Sequence, residues 1–313
     1  MIGDLMLDEY LWGHIERISP EAPVPILNVV SRSSTLGGAA NVAENLLLLG
    51  VQATVVGVVG ADETGQQICD LLSEHGADIR GVIRDPLRKS TRKSRLMSME
   101  HGQQVFRLDE ESAFAVEQNV EAKIVAAVQA LSDGIQVLVC SDYLKGVLSQ
   151  KILTTIFETA SKRGIRSIVA PKDSNPEKYR GATILMPNAR ELMLLVGTPP
   201  NLEDPLDHAG RSLMERLSLE ALLVTRGSQG MSLFEKSQHS LRRVDIPTTA
   251  RSVYDVTGAG DTAIAAFGAA MASGADIETA AHIATLTAGI KVGKRGTASV
   301  SVDEIRNSLK DPI

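Results

Sequence analysis

The chain has 313 residues, 43% hydrophobic and 22% charged, the balance of a globular protein long enough to bury a large core. A net charge of −6 and only 3% aromatic residues argue against a nucleic-acid binder, which needs a basic surface and stacking platforms. Two cysteines, Cys69 and Cys140, supply no disulfide framework or zinc cluster, and no apolar stretch reaches the length of a membrane span or reads as a leader. The expectation is a cytoplasmic protein with no membrane partner.

In chain order, Met1-Ile2-Gly3-Asp4 reads as a fragment of an apolar strand running into a turn, with a second acid at Asp8. Residues 10–35 then hold Ser19-Pro-Glu-Ala-Pro-Val-Pro25 and the alternating Ile26–Val30, while residues 80–108 read as two alternating strands around a basic turn. Together they predict a small β-sheet lid, about 10–35 and 80–108, on a single domain spanning 1–313. A thin exposed sheet calls for a cover, which predicts a homodimer through the lid. The remaining rhythm is strand Ala53–Val59, helix Glu63–His75, strand Val137–Cys140, helix Lys151–Arg163, then strands Ser167–Ala170, Ala182–Met186 and Ala221–Thr225. Two alanine-rich helices, Asp261–Ser273 and Ile277–Val292, follow. Apolar strands separated by helices predict an α/β fold whose mostly parallel central sheet is covered on both faces and binds ligands at the strand C-termini.

The polar punctuation at those ends carries the candidate chemistry. Leu36-Gly37-Gly38-Ala-Ala-Asn41 opens a helix running to Leu49; Asn41 can donate and accept toward a sugar diol, or simply face solvent. Asp4 and Asp8 can accept from hydroxyls, or serve turns. Arg84, Arg88, Lys89, Arg92, Lys93 and Arg95 form a basic run that is either a solvated face or a phosphate-binding part of the lid. Ser141-Asp142-Tyr-Leu-Lys145-Gly146 and Pro171-Lys172 add cations near the ligand edge. Asn188-Ala-Arg-Glu191 suits Mg²⁺-bound water and equally suits a helix capping box. Thr225-Arg-Gly227-Ser-Gln-Gly230 can cradle nucleotide phosphates, without the ending of a Walker loop. Asp255-Val-Thr-Gly258-Ala259-Gly260-Asp261 sets a carboxylate beside the positive end of a helix. A base next to an anion seat is what phosphoryl transfer to an alcohol requires, although a capped helix after a glycine turn reads the same way. The six histidines are dispersed, with neither metal spacing nor a Ser-His-Asp set.

Gly37-Gly38-Ala-Ala-Asn41 joined to Asp255–Asp261 resembles the signature pair of the ribokinase (PfkB) family of sugar kinases, and the resemblance spans nearly the whole chain. Gly3-Asp4-Leu-Met-Leu-Asp8, Arg17-Ile-Ser-Pro-Glu-Ala-Pro-Val-Pro25, Ser141–Gly146, Tyr179-Arg-Gly-Ala-Thr183 and Val292-Gly-Lys-Arg-Gly-Thr297 resemble its heptose-7-phosphate kinase branch. The resemblance implies a ribokinase-like three-layer fold and transfer of phosphate from ATP, with Mg²⁺, to the anomeric O1 of D-glycero-β-D-manno-heptose 7-phosphate, a step toward ADP-heptose and lipopolysaccharide core. It leaves open another sugar, as in ribokinase or fructokinase, a binding relative without turnover, and a need for a monovalent cation.

By the same resemblance Asp261 is the base, and Gly258, Ala259 and Gly260 form the anion hole. Asp8, Gly37, Gly38 and Asn41 grip the sugar, while Lys93, Arg95 and Arg107 meet its phosphate, with Asp142 and Lys145 on the substrate side. Lys172, Asn188, Glu191, Thr225, Gly227, Gly230 and Thr285 face the nucleotide, and Glu191 reaches the metal through water. Two positions depart from the family pattern: Ala170 stands where an Asp usually precedes Pro-Lys, and Thr285 where Asn is usual. Bifunctional members of the family continue into a nucleotidyltransferase domain, whereas this sequence resembles the single-function form or an excised half.

Overall fold

The structure, a computed structural model, describes residues 1–310 except 101, 199–201, 237–239, 251 and 295–298. The Arg295-Gly-Thr297 end of the Val292–Thr297 motif therefore lies outside the described residues. Third from one edge of the larger sheet is the short strand Ile2–Gly3, parallel to Val137–Ser141 on one side and Thr54–Gly60 on the other. Glycine is required there, since a Cβ on Gly3 would stand 2.2 Å from the Ser141 carbonyl oxygen.

Among the described residues that sheet has nine strands, in the order Leu241–Ile246, Met231–Lys236, Ala221–Thr225, Ile184–Leu185, Arg166–Ala170, Val137–Ser141, Ile2–Gly3, Thr54–Gly60, Asp78–Asp85. Neighbours are parallel except at one edge, where Met231–Lys236 runs antiparallel to both of its partners. Helices Gln118–Leu131, Gln150–Lys162, Ala189–Val196 and Pro205–Leu217 cover one face over Ile124, Ile152, Phe157, Leu192 and Leu213. Ala39–Leu48, Ala259–Ala272 and Ile277–Val292 cover the other. Each large side chain so buried contributes roughly 1.5–3 kcal/mol. Small residues let the second layer approach closely: a Cβ on Gly268 would lie 3.1 Å from Val139. The parallel strands and both alanine-rich helices stand where the sequence places them. The edge hairpin and helices Gln118–Leu131 and Pro205–Leu217 are additions to that reading.

A second sheet of four strands has the order Pro25–Gly38, Leu5–Ile18, Thr91–Ser98, Gln104–Glu110. It departs from the expected lid limits. The paired strands begin at Leu5 and return to Gly38, and Asp78–Asp85 joins the large sheet beside Thr54–Gly60. The reason is packing, because Ile79 and Val82 turn toward the core that also holds Ile68 and Leu72. The basic run likewise splits by partner. Arg84 donates to Gln66, the buried Arg88 donates to the Ser112 and Lys145 carbonyls, and Arg92 pairs with Glu110. Among the described residues no helix is long and apolar enough to cross a membrane.

Candidate active site

Because Ile2–Gly3 has its successors in the chain on opposite sides, a crevice opens at the carboxyl ends of Ile2–Gly3 and Val137–Ser141. Asp4 closes its floor. The side chain is 1% exposed, and its carboxylate accepts the backbone N–H groups of Tyr143 at 2.7 Å, Lys145 at 3.2 Å and Val147 at 3.3 Å. Burial raises its pKa against those three bonds. Asp4 thus holds a loop instead of meeting a ligand.

The helix expected from Asp261 starts at Ala259, which makes Asp261 its third residue. Gly258 caps it with φ 74°, a left-handed conformation that glycine adopts freely, and a Cβ there would sit 3.4 Å from the Asn41 amide nitrogen. Gly260 has no such torsion, and a Cβ on it meets open space. The Ala259 N–H is taken by the Val256 carbonyl at 3.2 Å, so the amides of Gly260 and Asp261 are the ones at the open end of the helix. Asp261 is held at both oxygens: Asn41 Nδ2 donates to Oδ2 at 2.8 Å and the Tyr143 hydroxyl donates to Oδ1 at 2.7 Å. Desolvation raises its pKa, and the two hydrogen bonds and the Lys172 charge oppose that rise.

Beside Asp261 lies a pocket of about 170 Å³ lined by Asp8, Gly38, Asn41, Lys93, Arg95, Tyr143, Gly258 and Lys291. Asp8 and Arg95 are paired with each other at 2.7 Å, with Arg95 over the Tyr10 ring. Gly37 stands just behind, since a Cβ on it would be 2.8 Å from Asp8 Oδ2. Lys93 makes no ion pair among the described residues, and burial lowers its pKa. Arg107 lies opposite Arg95 across the lid strands but is paired with Asp109 at 2.8 Å. Lys145 is committed to Glu111 at 2.6 Å. Asp142 does not reach the pocket. It is buried, accepting from the Tyr179 hydroxyl at 2.7 Å and the Leu144 N–H at 3.0 Å while pairing with Lys178 at 2.7 Å.

A second, open groove of about 430 Å³ lies between Asn188 and the turn at Thr225 and Gly227. Asn188 and Glu191 form the capping box: the Asn188 side chain accepts the Glu191 N–H at 2.9 Å, and Glu191 Oε2 accepts the Asn188 N–H at 2.8 Å. The other Glu191 oxygen is held by Lys172. Gly230 shapes the turn, with φ 82° and a Cβ position 2.1 Å from the Ile246 carbonyl oxygen. Thr285 is corrected: it is buried within Ile277–Val292, donating to the Ala281 carbonyl at 2.9 Å, and so does not face the groove. Lys172 stands between the two openings, bound to Glu191, 5.7 Å from the Tyr143 ring and felt by Asp261.

Sequence reading missed Asn45, which donates to Asn41 Oδ1 at 3.0 Å and accepts from Thr262 at 3.2 Å. The Asn41/Asn45 spacing of four on one helix face was the available signal. It also missed Tyr143 and Lys291, passed over beside more conspicuous charges.

The model of the pfkB family carbohydrate kinases matches residues 2–304. The chain belongs to that family. A bifunctional protein HldE of Geobacter sulfurreducens is 45% identical over 309 residues, 99% of this chain and 62% of the relative. One from Geotalea uraniireducens is 44% identical over 305 residues, 97% and 61% of the two chains. The pfkB chain described here thus spans about three-fifths of their length. Two solved structures share the fold. Ribokinase of Arabidopsis thaliana, complexed with ribose and ATP, superposes with a TM-score of 0.77 at 21% identity, covering 99% and 98% of the chains. Phosphofructokinase-2 of Escherichia coli, in complex with potassium, gives 0.79 at 20% identity, covering 98% and 97%. By family the chain is thus a pfkB carbohydrate kinase, and its fold is ribokinase-like.

Proposed function

We propose that this kinase transfers the γ-phosphoryl of ATP to the anomeric O1 of D-glycero-β-D-manno-heptose 7-phosphate, giving the 1,7-bisphosphate and ADP. The observation that carries the reading is Asp261 in one small pocket with Lys93, an ammonium without an ion pair among the described residues. Asp261 accepts the hydroxyl proton as the sugar oxygen bonds to phosphorus and the bond to the ADP oxygen breaks. The first-turn amides after Gly258 face the charge on the transferred group. Lys93 and Arg95 meet the phosphate the sugar already carries, and Asp8 and Asn41 its hydroxyls.

ATP fits the groove at Asn188, Thr225 and Gly227, with Lys172 toward its phosphates. Mg²⁺ bound to those phosphates would neutralise their charge. Among the described residues no group of three acidic, His or Cys side chains could hold a metal ion. Both Glu191 oxygens are already engaged, which fits an ion that keeps its waters and is reached through one of them.

The test is a panel of sugars with ATP and Mg²⁺, read by phosphorus NMR of the product. The expected outcome is turnover of the heptose 7-phosphate at O1. Turnover of another sugar and none of this one would overturn the substrate; binding without turnover would overturn the kinase reading. We also propose that a second copy covers the lid, where Phe106 and Leu108 are 58% and 49% exposed on the face opposite Arg107. Phe106→Asp should then sediment as a monomer, and an unchanged mass would place the contact elsewhere.

A further inference from the structure

Tyr143 reaches Asp261 on a backbone held in an unfavourable shape. Leu144 has φ 59°, a left-handed conformation in a residue with a bulky side chain. Gly146 has φ 85°, and a Cβ there would stand 2.0 Å from the Phe114 carbonyl oxygen. The Asp4 carboxylate takes three N–H groups of this loop, and Asp142 takes that of Leu144. Such conformations persist only where the surroundings over-determine them, and they collect at functional sites. Leu144 is 42% exposed and does not account for the anchoring. What the anchored loop delivers to the pocket is Tyr143.

We infer that Tyr143 is a positioning residue for the base: its hydroxyl orients the Asp261 carboxylate and tunes its strength as a proton acceptor. This rests on Asp261 being the base, as proposed above. Asn41 and Tyr143 donate to opposite oxygens and so fix the plane of the carboxylate. Asp8, Lys93, Arg95 and Lys291 line the same pocket, and Lys172 approaches from the nucleotide side. Among the described residues the ionisable side chain that hydrogen-bonds to the Asp261 carboxylate is Tyr143. Its ring also lies 5.8 Å from the Lys93 ammonium and 5.7 Å from that of Lys172. Cations at that distance are attracted to the ring face and help hold the ring where it stands. Burial, then the charge of Asp261, push the phenol pKa well above its ordinary value, so the donor keeps its proton throughout the working range.

Tyr143→Phe keeps the ring and both cation contacts and deletes the hydroxyl. A donor to the charged form holds a carboxyl pKa down, so its loss raises that pKa. The acid limb of kcat/KM should move up by about one pH unit, the scale of one hydrogen bond to a charged group, with sugar KM changed less than about twofold. A second readout needs no turnover: carbon-13 titration of the Asp261 carboxyl, assigned by its loss in Asp261→Asn, in the wild type and in Tyr143→Phe. An upward shift of the midpoint supports the inference. An unchanged midpoint overturns it, even if kcat or KM falls, because Tyr143 would then only shape the wall. A wild type that phosphorylates no sugar removes the functional reading, while the carboxyl titration still decides the role of Tyr143.

Discussion

Asn41 and Asp261 lie 220 residues apart in sequence, yet their side chains meet at 2.8 Å. Each is the third residue of its helix, Ala39–Leu48 and Ala259–Ala272, and the two helices open onto one pocket. Behind them Thr262 donates to Asn45, and Asn45 donates to Asn41 Oδ1, which turns the Asn41 NH₂ toward Asp261. Asn41 therefore holds the proposed base in addition to the sugar hydroxyl proposed for it.

Asn41→Asp should place a second carboxylate against Asp261, and two carboxylates in contact do not both ionise near neutrality. Activity at about pH 7 should fall at least ~10-fold and recover as pH rises. A pH profile identical to wild type would mean that the contact is not kept in the working enzyme.

For Asp261, desolvation outweighs the favourable partners and holds the folded-state pKa above 3.8. A carboxyl raised in this way contributes stability below its unfolded pKa, and that contribution is lost as pH rises through the folded value. Asp261→Asn should thus raise Tm near neutrality, with the gain vanishing as pH falls toward and below 3.8. Turnover should drop by about 10²–10⁴-fold in the same variant. Thermal unfolding across pH measures the first effect, and a lower Tm at neutral pH would contradict it.

The starts of the two site helices were legible because glycines and helix caps leave local signals: Gly38, Asn41, Gly258 and Asp261 stand together as read. The loop after Val137–Ser141 was not. The charged Asp142 looked functional, but Tyr179 and Lys178 draw it into the core, and the neighbouring Tyr143 faces the pocket. Which of two adjacent side chains turns outward was decided by partners more than 30 residues further on. Thr285 failed for a similar reason, since its position on Ile277–Val292 faces inward where helix packs on helix and sheet. Asp78–Asp85 alternates like a lid strand, and alternation does not say which sheet it joins.

The two glycines of the Gly258–Asp261 turn should separate. Gly258→Ala forces a side chain into a left-handed conformation beside Asn41, at a cost of about 1–2 kcal/mol, seen as a lower Tm. Gly260→Ala adds a methyl to open space inside a helix and should leave Tm level or raise it by up to ~1 kcal/mol equivalent. Its turnover should nevertheless fall, because the methyl occupies the approach to the anion seat. Full activity in Gly260→Ala would move that seat away from the turn.

Lys93→Met should raise KM for a phosphorylated sugar by about 10- to 100-fold, the scale of a lost charge-assisted contact. KM for the same sugar without its phosphate should hardly change. Equal effects on both would show that Lys93 shapes the pocket without reading charge.

The strand Leu5–Ile18 leaves the large sheet at Ile2–Gly3 through Asp4, and its partner Pro25–Gly38 runs straight into the helix of Asn41. The lid is thus a cantilever built from the same two ribbons that carry Asp8 and Asn41, with no separate hinge between them. The second copy proposed to sit on Phe106 would therefore rest on the same sheet that reaches the pocket at Asp8.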